Sequence, residues 1–518
     1  MPFLLAGMTA PGRRLAALVA VVAWVSAWSS AAAQTRSSPF APPPADDRTF
    51  VTDGAPLLDT ACLFRSQGPI SFDIAITRFV GEVAPDGTLA DPGTLIQNGV
   101  VAPSATLQMP AFDVDFDTPT LPGDEPERDR VSINGHDLPS HFLTGTADVW
   151  KLNSFEVPIQ FLRFPERAAP GSSPTPAMNT VRIDIDTANT QELWCTAIDW
   201  GLLTFKAMSP VILIHGNNSD GGFFARQGFK GHLDSLHIPN DNSISMVTAP
   251  IVTHSALLDT LIPGIVQSFG VDSVHLVVHS KGGLDTRDWL ATYSGSHPFK
   301  VLTMTSLSTP HRGSVGADLV VAQEQASYIE GAGITNDLLS RVMGPDAGTP
   351  DLTTSSTAAF NALNVPLLPT DIVYRAVGGN ADLNGNGHID AVPDEFASSR
   401  LESSDLATAY SISPRLAATL IDAAYQLIRN YASVTVVTRS VTVLGRTILT
   451  YRVGVATTGG DLNDTLVPLS SAAGPGFTFL PPFVGTDGRD HASIGNAGVA
   501  ATVVPLLQQT EMATGDFR

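Results

Sequence analysis

V-H-L-V-V-H-S-K-G-G, residues Val274 to Gly283, is the stretch that decides the fold. Val274 to His279 is mostly apolar, long enough for one buried strand and too short for a helix spanning a domain. The run stops at Ser280, and Lys281, Gly282 and Gly283 follow at once. A buried strand breaking into a helix at a serine is a nucleophile elbow. The sharp turn pushes the hydroxyl out of the sheet, and the helix offers its first N–H groups to a developing oxyanion. Gly282, two places after the serine, lets the helix pack close to the strand. Two places before it stands Val278, so G-x-S-x-G is present only as V-x-S-x-G. Taken alone, the stretch also fits an ordinary strand-to-helix turn capped by a serine.

Outward from this elbow, the pattern from Met208 to the chain end alternates strands and helices. Pro210 to Ile214 is a fully apolar strand that leads into His215-Gly216-Asn217-Asn218. A helical stretch near 223–236, a strand near 243–247 and a helix over 256–269 bring the chain to the elbow strand. Further strands follow at 300–306 and 371–377. This spacing implies an α/β fold, a mostly parallel sheet with helices on both faces and active residues at the carboxyl ends of its strands. Segment 313–363 carries Gly331, Gly333, Gly344 and Gly348 around amphipathic runs and would cover that end, either as a hinged lid or as a fixed cap. An insertion over 380–456 has a helical part (406–431) and a hairpin-like pair near 433–455.

Five further stretches occur in one order with the elbow between residues 210 and 493. They are V-I-L-I-H-G (Val211 to Gly216), L-S-T-P-H-R-G-S (Leu307 to Ser314), Asp351 to Asn361, N-D-T-L-V-P-L-S-S (Asn463 to Ser471) and Asp490-His491. In that order they resemble the α/β-hydrolase lipases secreted by bacteria. The resemblance covers the C-terminal part only, roughly three-fifths of the chain. It implies an α/β-hydrolase catalytic domain at 207–518.

Chemistry assigns each position a task. Ser280 is the nucleophile, but a serine hydroxyl is unreactive until a base takes its proton. His491, late in the chain and in a polar loop, is that base. The orienting acid should follow a strand and precede the histidine, which favours Asp464, with Asp461, Asp382 and Asp490 as alternatives. The resemblance suggests backbone N–H donors for an oxyanion at Lys281, directly after the nucleophile, and at Asn217, directly after His215-Gly216. His279 is adjacent to the nucleophile, but consecutive strand residues point to opposite faces, so structure rather than catalysis is its expected role. His311 is expected to shape the site wall.

Asp382-Leu-Asn384-Gly-Asn386-Gly387-His388-Ile389-Asp390 has oxygen side chains at positions 1, 3, 5 and 9 and glycine at 6, the pattern of an EF-hand-like loop. Calcium wants six to eight oxygens, and this spacing wraps them round one ion, with the carbonyl of His388 at position 7. Position 12, where a bidentate glutamate belongs, is Pro393; Asp394 or Glu395 would close the sphere. The other reading is a polar turn held by Asx hydrogen bonds. The calcium site of the lipases themselves resembles a pair of aspartates, and Ser493 occupies one of the expected spots.

Ahead of the catalytic part, residues 49–206 change to short β-type runs separated by turns. Examples are 72–79, Val131 to Ile133 before an Asn134-Gly135 turn, 155–164, and Val181-Arg-Ile-Asp-Ile185 with its strict alternation. These predict an all-β sandwich module, with the acidic tract 119–130 as a surface loop. Its two cysteines, Cys62 and Cys195, are the chain's only ones, and in an exported protein they are expected to pair. Closing so long a loop would stabilise the fold by roughly 4–5 kcal/mol. Export is expected because Arg13-Arg14 precede an apolar stretch from Leu15 to Trp28 that ends in Ala31-Ala32-Ala33, giving a signal peptide over 1–33 by the general or the twin-arginine route. A Pro/Ser-rich linker, 34–48, follows.

A net charge of −21 repels phosphates and speaks against nucleic-acid binding, and no later stretch is apolar enough for a transmembrane anchor. The sequence thus predicts a secreted serine hydrolase of carboxylic esters, acting on a lipid or other ester substrate through an acyl-enzyme, with no organic cofactor. Shorter esters and polyesters are further candidate substrates, and the β-sandwich could contact a surface or polymer. A non-catalytic binding protein on a hydrolase fold, which Val278 would suit, and an acyltransferase are the alternatives.

Overall fold

Val211, Leu213, Val277 and Leu307 belong to one buried cluster, and Ile212, Ile214, Leu276, Val278 and Met304 to another. Alternate residues of the same strands thus face opposite sides of a sheet covered on both faces, which is why Val211–Ile214 reads as an unbroken apolar run and Ser273–His279 as a mostly apolar one. In this computed structural model the described residues of the sheet form six parallel strands in the order Asn240–Asp241, Val211–Ile214, Ser273–His279, Lys300–Leu307, Val373–Val377 and Thr478–Phe479. The structure describes residues 38–43, 48–58, 62–79, 92–117, 125–169, 171–189, 194–325, 346–382, 385–389, 422–423, 425–430, 460–480 and 490–513, and the backbone alone over 431–443 and 446–457.

Helices Ile251–Phe269 and Lys281–Thr292 cover one face, through Leu258, Ile262, Trp289 and Leu290. The first of them ends at Gly270 (φ 63°), a left-handed C-cap that a side chain would strain. Helix Ala497–Ala513 covers the other face through Val499, Val503 and Leu507. Two expected elements differ in detail. The helix near 223–236 is broken at Gly228 (φ 100°) into Phe223–Gln227 and Phe229–Ser235. The strand expected near 243–247 reduces to Asn240–Asp241, because the following backbone is bound elsewhere: Ser243 N–H to Asp241 and Met246 N–H to the Nε2 of His215.

The N-terminal part forms two antiparallel sheets. One orders Thr49–Asp53, Trp200–Thr204, Ser104–Phe112, Cys195–Ile198 and Leu63–Phe64, with Trp150–Pro158 also paired to Ser104–Phe112. The other orders Ile70–Ile76, Ala177–Asp184, Arg130–Ile133 and His136–Phe142, the last two joined at Asn134-Gly135, both with positive φ. The alternation of Val181 to Ile185 has its expected cause: Val181, Ile183 and Ile185 are buried while Arg182 is exposed. The sheets approach closely at Gly201, where a Cβ would collide with the ring of Phe72. Their apolar residues run without a break into those under the parallel sheet, from Ile74 and Leu203 to Val211 and Val503.

Cys62 and Cys195 form a disulfide, with Cα atoms 5.3 Å apart. The tract 119–130 is not wholly a surface loop, since Glu127 and Asp129 are fully buried. Both carboxyls reach the hydroxyl of Thr196, and Glu127 also accepts the N–H of Asp115. A hydroxyl has one proton to donate, so one of the two acids must carry its own. Burial holds both above the ordinary carboxylate range, and the charge of Asp129 adds to it at Glu127.

Of the insertion, 422–423 and 425–430 are helical, and Tyr431–Val443 pairs with Arg446–Thr457 as an antiparallel hairpin. The rest of the expected helix, the expected signal segment, most of the expected linker and part of the expected lid or cap, residues 326–345, lie outside the described residues. Among the described residues no helix is long and apolar enough to cross a membrane.

A buried polar knot joins the two parts. Glu511 accepts from Arg48 (3.0 Å) and from the N–H of Ser209 (2.7 Å), and lies 3.2 Å from His275 Nε2. Burial opposes its charge, but His275, Arg48 and Ser209 outweigh that and hold its carboxyl below the ordinary range. A depressed folded-state pKa stabilises the protein above the unfolded value near 4.5, and that contribution is lost as pH falls toward the folded value. Melting temperature should therefore drop below about pH 4.5 in the wild type more than in Glu511→Gln. At pH 7 Glu511→Gln should cost about 3–5 kcal/mol, measured by denaturant unfolding.

Candidate active site

The carboxyl ends of the parallel strands bring together segments far apart in sequence. Ser280 follows the elbow strand at φ 52°, ψ −132°, a conformation that costs about 1–3 kcal/mol and is held by its surroundings. Its N–H donates to the carbonyl of Leu307 on the neighbouring strand, and its side chain makes no helix-capping bond. The turn is tight enough to need three glycines. A Cβ at Gly282 would collide with the carbonyl of His215, and one at Gly283 with Thr309. A Cβ at Gly216 would sit 2.5 Å from that of Ser280. Gly216 is therefore small for the sake of the serine behind it. Val278 fits because its side chain lies in the cluster on the far side of the sheet.

The hydroxyl of Ser280 lies 2.8 Å from Nε2 of His491, and Nδ1 of His491 lies 2.9 Å from Oδ2 of Asp464. Oδ1 of Asp464 accepts the N–H groups of Leu466 (3.0 Å) and Val467 (2.7 Å). A carboxylate fixed this way leaves one oxygen for the imidazole, so Nδ1 carries the proton and Nε2 accepts from the serine. The other three candidate acids are engaged elsewhere. Asp490 holds the N–H groups of Ala492 and Ser493, Asp461 the hydroxyl of Ser470, and Asp382 the N–H groups of Asn386 and Gly387.

His279 is buried and donates from Nε2 to the carbonyl of His491 (2.7 Å), stacked on Phe223. Burial, and then the neighbouring His491, hold its pKa well below the ordinary histidine range, so it is neutral. His311 is not a wall residue: it is wholly buried, 3.2 Å from Arg287 Nη1 and 2.9 Å from the hydroxyl of Ser306. His215 is fixed by the carbonyl of Gly216 (2.7 Å) and the N–H of Met246 (2.9 Å), which sets the loop that carries Asn217.

Sequence reasoning missed the surroundings of Lys281 and Asn217. The Lys281 ammonium is buried against Asp285 (2.6 Å), and Asp285 also bonds His254 (2.8 Å). K-x-x-x-D at helical i,i+4 spacing was a legible signal for that pair. The side-chain amide of Asn217 donates to Asp346 (3.0 Å), for which no local signal exists.

Of the calcium-loop residues, Asp382, Asn386 and His388 are described; Asn384, Asp390 and Asp394 lie outside. The buried Asp382 carboxylate gathers two loop N–H groups, the Asn386 side chain accepts the N–H of His388, and the His388 ring bonds Asp422 (2.7 Å). Such bonds close the loop around position 1, as the calcium reading requires and as an Asx turn also would. Among the described residues one group of three candidate ligand atoms converges, Cys62, Asp113 and Cys195, but its two sulfurs are bonded to each other.

An α/β-hydrolase fold with serine, histidine and aspartate hydrogen-bonded in series at the carboxyl end of its sheet is the class that this architecture defines. No family model matches the chain. It is 29% identical over 119 residues to a triacylglycerol lipase of Pseudarthrobacter phenanthrenivorans, covering 21% of this chain and 36% of that protein. Against a triacylglycerol lipase of Burkholderia plantarii the identity is also 29% over 119 residues, 21% of this chain and 32% of that one. The chain thus spans about a third of the length of the curated relatives it matches. Among solved structures, the mature form of the Bacillus licheniformis lipase BlEst2 aligns with 58% of this chain and 92% of its own, at 20% identity and a TM-score of 0.37. Over those 119 residues the chain is similar to triacylglycerol lipases.

Proposed function

We propose that this protein hydrolyses carboxylic esters, with acylglycerol-type lipids as the favoured substrate class. The observation that carries the reading is the series Ser280–His491–Asp464, at 2.8 and 2.9 Å. Ser280 Oγ attacks the ester carbonyl carbon while its proton passes to Nε2 of His491. Negative charge collects on the former carbonyl oxygen, next to the backbone N–H groups of Asn217 and Lys281. As that intermediate collapses, the imidazolium protonates the departing alcohol, and an acyl group remains on Ser280. A water molecule, deprotonated by His491, then attacks the acyl carbon, and the returning proton frees the serine. Asp464 stays ionised and holds the ring in the tautomer that can accept.

Around this core the remaining readings are of the same standing. The chain is exported, in keeping with its disulfide. The two N-terminal sheets form a β-sandwich that contacts a surface or polymer. The loop from Asp382 holds a structural Ca²⁺ through Asp382, Asn386 and the carbonyl of His388, together with Asn384, Asp390 and Asp394. It supplies rigidity to the insertion and takes no part in the chemistry.

A panel of p-nitrophenyl esters of rising chain length, run with calcium and with chelator, tests these points together. Hydrolysis is expected, with a rate optimum among acyl chains. Chelation should lower thermal stability in the wild type and not in Asp382→Ala. A wild type that neither hydrolyses any ester nor reacts with a fluorophosphonate would leave the fold as a binding scaffold.

A further inference from the structure

Resting on that reading, we infer that the turn Asp346–Gly348 is a clamp that sets the position of both oxyanion donors, with Asp346 and Gly348 as positioning residues. Asn217 and Lys281 are 64 positions apart, and Asp346 lies 65 beyond the second. Yet the turn touches both. Oδ2 of Asp346 accepts from the side-chain amide of Asn217 at 3.0 Å. Its other oxygen accepts the N–H groups of Gly348 and Thr349, each at 2.9 Å, and the hydroxyl of Thr349 at 3.1 Å. One carboxylate therefore closes its own turn and grips the oxyanion loop at the same time.

Gly348 completes the contact. A Cβ there would stand 2.8 Å from Oδ1 of Asn217, 3.0 Å from Cε of Lys281 and 3.1 Å from the carbonyl of Ala249. The backbone of the turn is thus pressed between the two donor residues, and a Cβ there would displace the side chains of both. Lys281 cannot retreat, because its ammonium is buried on Asp285. Asp351, three residues past Gly348, accepts the N–H of Ile251 at 2.7 Å and ties the same segment to the start of helix Ile251–Phe269. Gly216, beside Asn217, already abuts Ser280, so a shift of this loop displaces a donor relative to the nucleophile.

Preorganised donors accelerate a reaction only while they point at the place where charge develops. Asn217→Ala keeps the backbone N–H and removes the clamp, and Asp346→Ala removes it from the other side. Each should lower kcat by about 10- to 100-fold, part of what losing a whole donor costs, with KM within about threefold and melting temperature within a few degrees. The Ki of phenylboronic acid, which forms a tetrahedral adduct on the serine, should rise by the factor by which kcat/KM falls. The double variant should be no slower than the slower single one, since both changes remove one interaction. Gly348→Ala should fall with them.

Single variants with wild-type kcat, or a double variant whose loss is the product of the two, would overturn the clamp. Asn217→Ala leaves the turn untouched, so the test survives if Asp346→Ala fails to fold. A wild type that is inactive and unlabelled by a fluorophosphonate would overturn the hydrolase reading itself, a different result from an active wild type with indifferent variants.

Discussion

Replacing Ser280 with alanine is expected to lower ester hydrolysis by about 10⁴- to 10⁶-fold and to abolish covalent labelling by a fluorophosphonate. The Ser280 hydroxyl stands 2.8 Å from Nε2 of His491, the atom that would take its proton. The fold should survive, because the backbone of the elbow is held by neighbours rather than by the hydroxyl: Leu307 takes its N–H, and Gly216 and Gly282 leave room around it. Residue 280 pays for its exposure to substrate with φ 52°, which alanine tolerates no better than serine. Ser280→Gly should therefore be equally inactive but more stable than Ser280→Ala by about 1 kcal/mol, read from urea midpoints at unchanged slope. Residual hydrolysis near wild-type levels in either variant would move the chemistry to another residue.

Asp464→Asn should cost about 10⁴-fold in kcat while leaving binding and folding nearly intact. The amide oxygen can take over the N–H groups of Leu466 and Val467, so the turn keeps its shape. The amide nitrogen is then left facing Nδ1 of His491, to which it donates. The ring answers by carrying its proton on Nε2, and it meets the hydroxyl of Ser280 as a donor where a base is needed. Asp490→Asn makes the informative contrast. Asp490 neighbours the histidine in sequence, but its carboxylate caps the turn that carries it through Ala492 and Ser493. Its neutral variant should lose less than about tenfold. Equal losses in the two variants would mean that Asp464 acts through the turn and not through the tautomer.

Much of this arrangement was legible in the chain because it is encoded locally. Apolar runs at Pro210–Ile214 and Val274–His279 marked the strands Val211–Ile214 and Ser273–His279, and alternation over Val181 to Ile185 marked the end of the strand Ala177–Asp184. The elbow could be read from a serine between a buried strand and glycines, although Val278 hid its usual signature. The order serine, aspartate, histidine favoured Asp464, with Asp461, Asp382 and Asp490 left as alternatives. Local pattern also misled: 243–247 looks like a strand, but its Met246 N–H is claimed by His215. His311 looked like a wall residue, and is sealed in by Arg287 and Phe477.

By itself, then, the sequence determined the alternation of elements, the class of fold and the small set of residues able to do acyl chemistry. The hydrogen bond of Asp464 to His491, the grip of Asp346 on Asn217 and the burial of Glu511 against Arg48 appear only in the tertiary structure. Hydrophobic period and turn chemistry act between near neighbours and leave their mark in any short window. A hydrogen bond between side chains hundreds of positions apart leaves none, because its donor and acceptor meet only where the packed sheet and loops bring them.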